Sequence, residues 1–161
     1  MQATRNGVRA ALFVAAFIVS AASTVTLKPS LAFAVDTVTS KDAPNLTSVR
    51  AKIKAKDYQA AVAELKTLAD THQHADVYSL LGFSLRKTGD YPTALTFYKK
   101  ALDFDANHKG AREYLGELYV ETGDLPKARE QLAVLARLCP QGCEEYEDLE
   151  KALSSAPAKT N

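Results

Sequence analysis

The 161-residue sequence has no tryptophan, one methionine, two cysteines and three histidines. So few thiols exclude a disulfide-dense miniprotein, and so few thiol and imidazole donors leave no material for a metal-rich cluster. An excess of charge is also missing: 20 Lys and Arg face 19 Asp and Glu, a formal net charge of +1. No global field therefore draws the chain to nucleic acid or to an anionic membrane. Catalytic signatures are absent too, with no G-x-S-x-G, Walker loop, H-E-x-x-H or dinucleotide fingerprint. What remains is 47% hydrophobic and 24% charged, the composition of one soluble globular domain, and no cofactor is called for.

A single long apolar run breaks this even composition. Arg5 and Arg9 precede Ala10 to Leu27, and no acidic residue occurs before Asp36. A basic stretch, an apolar stretch and the small-residue site Ala32-Phe33-Ala34 are the order of a secretory signal, which predicts residues 1–34 as a signal peptide cleaved after Ala34. Ser20-Ala21-Ala22 is a weaker second site. The 18 positions from Ala10 to Leu27 just reach bilayer-spanning length, so contact with a membrane is expected only if cleavage fails. Cleavage leaves 127 residues with 17 basic and 19 acidic side chains, and an exported protein of the bacterial periplasm is the expectation.

Two stretches then align without a gap at an offset of 34. Tyr78-x-x-Leu81-Gly82-x-x-Leu85, Gly89-Asp90-Tyr91, Ala94, Tyr98 and Ala101 are matched by Leu115-Gly116-x-x-Tyr119, Gly123-Asp124-Leu125, Ala128, Leu132, Leu135 and Pro140. Apolar residues at i, i+3, i+4 and i+7 mark buried helical stripes, and Gly-Asp turns followed by Pro92 and Pro126 mark a helix end and the next helix start. Each unit is a helical hairpin, and since one hairpin cannot cover its own apolar face, at least three must stack. The pattern resembles the tetratricopeptide repeat family. That resemblance implies an all-α solenoid of repeats at about 42–74, 75–108 and 109–142, the first degraded, with Val49 standing where Gly82 and Gly116 stand. Residues 35–44 are expected as a flexible leader, 45–153 as the repeat domain with a capping helix at 144–153, and 154–161 as a disordered tail. The acidic run in the cap reads as a solvated face.

The resemblance further implies a partner-binding groove on the concave face. Its residues here are Ser79, Leu80, Phe83, Arg86 and Lys87 in the second repeat and Glu113, Tyr114, Glu117 and Glu121 in the third, with Arg50 and Lys54 from the degraded repeat. Phe83 and Tyr114 are the aromatic anchors, Arg50, Lys54, Arg86 and Lys87 a basic side, and Glu113, Glu117 and Glu121 an acidic side. The Asn and Lys combination with which some family members clamp a terminal carboxylate is missing. The functional expectation is a non-catalytic adaptor that binds a protein or peptide segment in the cell envelope, with self-association through the imperfect first repeat as a further possibility.

Cys139-Pro140-Gln141-Gly142-Cys143 lies outside the repeat pattern, and its turn residues bring the two cysteines within disulfide range. The alternative is a periplasmic thiol-redox or copper-handling protein using Cys139 and Cys143. The usual two-residue redox spacing is absent, and no His or Met follows as a soft-metal ligand. His72 and His74, near Asp70 and Asp76, lie in a connecting segment and read as turn residues, as does His108.

Overall fold

A computed structural model describes residues 43–156. The predicted signal peptide, its cleavage site, most of the leader and residues 157–161 of the tail lie outside the described residues.

Local turn chemistry sets the helix boundaries. Asp57, Asp90 and Asp124 each precede a helix and accept a hydrogen bond from the backbone N–H three residues on, at 3.1, 3.2 and 3.3 Å. The residue before each Asp turns the chain in the left-handed region: Gly89 at φ 88°, Gly123 at φ 78° and, in the degraded repeat, Lys56 at φ 59°. The first two are at no steric disadvantage there, whereas the Cβ of Lys56 crowds its own carbonyl.

Seven helices result: α1 (Thr47–Lys54), α2 (Tyr58–Thr71), α3 (Ala75–Lys87), α4 (Tyr91–Phe104), α5 (Lys109–Glu121), α6 (Leu125–Leu138) and α7 (Glu144–Ser154), with no strand among the described residues. They form three antiparallel hairpins and a capping helix, an all-α solenoid. In sequence, α3 packs on α2 and α4, and α5 on α4 and α6. Across the stack α5 also meets α3 and α7, which lines the first helices up along one side. The degraded repeat starts with a short helix of 8 residues against 13 in α3 and α5, and Leu46 stands at its N-cap.

Close approach is concentrated at two glycines. A Cβ on Gly82 would lie 2.7 Å from the ring of the fully buried Tyr98 on α4. On Gly116 it would lie 2.4 Å from Leu149 of α7, which is also fully buried. The two glycines thus do the same work for different neighbours: Gly82 admits the partner helix of its own hairpin, Gly116 the helix that ends the stack. Glu144, Glu145 and Glu147 in the first turn of α7 face the positive end of its dipole.

Candidate functional site

Side chains spaced three or four apart on α3 and α5 share the inner side of the stack. There Phe83 meets Tyr114 with ring centroids 4.8 Å apart and Tyr58 at 6.2 Å. Lys87 places Nζ 5.3 Å from the centroid of the Phe83 ring, and the Arg86 guanidinium carbon lies 5.6 Å from it. The two aromatic anchors predicted from separate repeats therefore form one continuous apolar strip along the groove.

Arg86 departs from the simple picture of a basic side opposite an acidic side. It is 3% exposed, donates from Nη1 to Glu121 Oε1 at 2.6 Å and pairs through Nη2 with Glu117 Oε2. The guanidinium fork spans two consecutive turns of α5 and ties the second repeat to the third. Arg86 offsets one of the two carboxylates, so the triad keeps one net negative charge on the α5 side of the groove, and the positive charge that a partner meets beside it comes from Lys87. Lys54 and Arg50 are exposed on α1.

Five of the predicted groove residues, Arg50, Ser79, Leu80, Glu113 and Tyr114, line one cavity of about 300 Å³. It opens where the N-terminal halves of α3 and α5 face α7. Its wall includes Asp76 and His108, which bridge two repeats: Nδ1 of His108 accepts the N–H of Ala111 at 3.0 Å, so the neutral ring carries its proton on Nε2 and donates to Asp76 Oδ1 at 2.9 Å. That hydrogen bond holds the Asp76 carboxyl below the usual aspartate range despite its partial burial. His74, one repeat earlier, caps α3 in the same manner through Nδ1 and the N–H of Asp76 at 3.2 Å. Both histidines are helix caps.

Glu113 is the electrostatic outlier of the cavity. It is 8% exposed and makes no hydrogen bond or ion pair among the described residues. Burial, followed by the charges of Glu117, Asp148 and Glu145, pushes its carboxyl up to about 8, against which Arg86 acts weakly. Burial, followed by the charges of Glu113 and Glu117, raises the Tyr114 phenol to about 12.

The remaining wall is Gly110 of α5 and Glu144, Glu145 and Asp148 of α7. Glu144, Glu147, Asp148 and Glu150 are exposed, as a solvated face requires, and Glu144 and Asp148 also rim the cavity. Continuing the 34-residue offset one step further supplies the signal: Glu144 and Asp148 then fall where Gly110 and Tyr114 fall, on the inner side of what is the first helix of a fourth unit.

Away from the groove, Cys139 and Cys143 bring their sulfurs to bonding distance with Cα atoms 5.8 Å apart, around Gly142 at φ 88°. Glu145 approaches closely enough for donor atoms of all three residues to lie within 4.8 Å of one another. As a soft-metal site the set fits poorly: joined sulfurs offer no thiolate, and the third donor is a hard carboxylate oxygen without a histidine or methionine beside it.

No curated protein sequence matches the chain. Among solved structures it resembles the type III secretion chaperone SycD of Yersinia enterocolitica in complex with a peptide of the translocator YopD, at 19% identity over 68% of this chain and 83% of that one, TM-score 0.58. PcrH in complex with the chaperone-binding region of PopB is similar at 20% identity over 68% and 89%, TM-score 0.57. The C-terminal TPR-containing domain of PFL2275c from Plasmodium falciparum shares 22% over 66% and 82%, TM-score 0.55. At these identities the likeness is one of fold. Two family models, each described as Tetratricopeptide repeat, match residues 46–109 and 85–157 and together span the hairpins and the capping helix, so the chain belongs to the tetratricopeptide repeat family.

Proposed function

We propose that the protein is a non-catalytic adaptor that seats a segment of a partner protein in the groove between α3 and α5, in the bacterial periplasm or envelope after export. The observation that carries this reading is the Phe83 and Tyr114 strip running into the cavity beside it, an apolar anchor next to a polar pocket on a preformed helical surface. The similar folds of SycD and PcrH, solved with a translocator peptide and a chaperone-binding region, support a peptide-sized occupant. Export rests on the signal-like order of residues 1–34. In that oxidising compartment Cys139 and Cys143 are bridged, and the bridge fixes the link between α6 and α7.

The test is capture of envelope proteins by the tagged protein and by its Phe83→Ala, Tyr114→Ala double variant. The double variant should lose its partner while its helical circular dichroism is unchanged. Undiminished capture by a folded double variant overturns the groove assignment.

A further inference from the structure

The groove strip accounts for an apolar anchor but not for the cavity beside it. Two polar side chains on the cavity wall lack partners: Ser79, 2% exposed, whose Oγ has no hydrogen bond, and Glu113, 8% exposed. Such groups are costly to bury unless something satisfies them. Around them stand the carboxylates of Asp76, Glu144, Glu145 and Asp148, against the single guanidinium of Arg50 and a distant contact of Glu145 with Lys109 at 3.9 Å. Asp76 is already engaged by His108.

We propose that this cavity is a subsite for a basic side chain, arginine or lysine, carried by the segment bound in the groove. The inference rests on the adaptor reading and names the chemistry of its partner. A cation here meets the unpartnered Glu113 carboxyl, and Asp148 and Glu144 from the facing helix. Burial and then the crowding of negative charge raise the Glu113 carboxyl, and a cation relieves the crowding. A bare metal ion fits less well. Among the described residues, the donor atoms gathered within 4.8 Å of one another join Glu145 to Cys139 and Cys143, and no such group forms among the cavity's carboxylates, which are spread over a space of about 300 Å³. Spread acceptors suit a planar guanidinium or a long ammonium stem. With Phe83 and Tyr114 alongside, the segment so recognised has a basic residue next to a large apolar one.

N-acetyl-arginine methylamide and its uncharged citrulline counterpart, titrated into the 15N-labelled full chain, test the inference. The arginine probe should shift the amides of Ser79, Gly110 and Tyr114 and bind at least about tenfold more tightly than citrulline. Glu113→Gln or Asp148→Asn should each weaken it by about fivefold or more, with Glu130→Gln on α6 inert. Equal binding of the two probes, shifts confined to other surfaces, or displacement of arginine by millimolar Ca²⁺ acting as the tighter ligand each overturns it. Should the double variant lose its partner while the arginine probe fails, the adaptor stands and the subsite falls. Should arginine bind here while capture ignores Phe83 and Tyr114, the subsite stands and the groove assignment falls.

Discussion

Glu113 makes the electrostatics of the cavity measurable without a partner. Its carboxyl is pushed from an ordinary 4.5 to about 8 by burial and by Glu117, Asp148 and Glu145. Below the ordinary value the group is protonated in both folded and unfolded chains and contributes no pH dependence. Above it the unfolded chain ionises freely while the folded chain keeps its proton, so the fold loses stability as pH rises, at most ~1.4 kcal/mol per pH unit, until the folded group itself ionises near 8. At neutral pH the ceiling on this loss is roughly 3.4 kcal/mol, and water entering the cavity lowers the measured figure to about 1–2. Glu113→Gln copies the shape of the protonated acid and removes the titration. Urea unfolding followed by circular dichroism across the range from the ordinary carboxylate value to the raised one should show a variant equal to wild type at the acid end and increasingly more stable toward the alkaline end. A difference independent of pH, or a variant less stable than wild type at the alkaline end, refutes the assignment of Glu113 as an unsatisfied buried acid.

Three further outcomes follow from the fold. Lys56→Gly relieves a left-handed lysine at φ 59° and should raise the unfolding free energy by about 0.5–1 kcal/mol in the same urea assay. Gly116→Ala drives a methyl into Leu149 and should cost about 1–3 kcal/mol, whereas adding Leu149→Ala to it should cost less than the sum of the two single changes, as a double-mutant cycle in thermal unfolding would show. Asp76→Asn should destabilise at neutral pH, where the His108 hydrogen bond to the lowered Asp76 carboxylate is intact, and the deficit should close as acid titration carries the wild type through and below the ordinary aspartate value of 3.8.

The hairpins were legible because repeat identity, turn chemistry and apolar period all agree: Gly89-Asp90 and Gly123-Asp124 announce their turns, and Ala94, Ala101 and Ala128 are buried where small residues were read. The turn at Lys56 carries no such announcement, since lysine disfavours the conformation it adopts there. The groove residues were legible as positions but not as partners. Nothing local links Arg86 to Glu117 and Glu121, because that contact exists only once one repeat is stacked on the next, and stacking is also what turns Glu113 from a surface acid into a buried one. The acidic face of α7 was read as solvent-facing, and Glu144 and Asp148 are exposed; what a helix seen alone does not show is that they also rim a neighbour's cavity.

Site-specific photo-crosslinking in the native envelope tests the central claim most directly. A photoreactive phenylalanine at Tyr114 or Lys87 should crosslink one and the same partner chain, and the same residue at Lys99, exposed on α4, should not. Crosslinks from Lys99 as strong as those from the groove, or none from Tyr114 and Lys87 in a folded, partner-bound protein, would contradict an adaptor that works through the surface between α3 and α5.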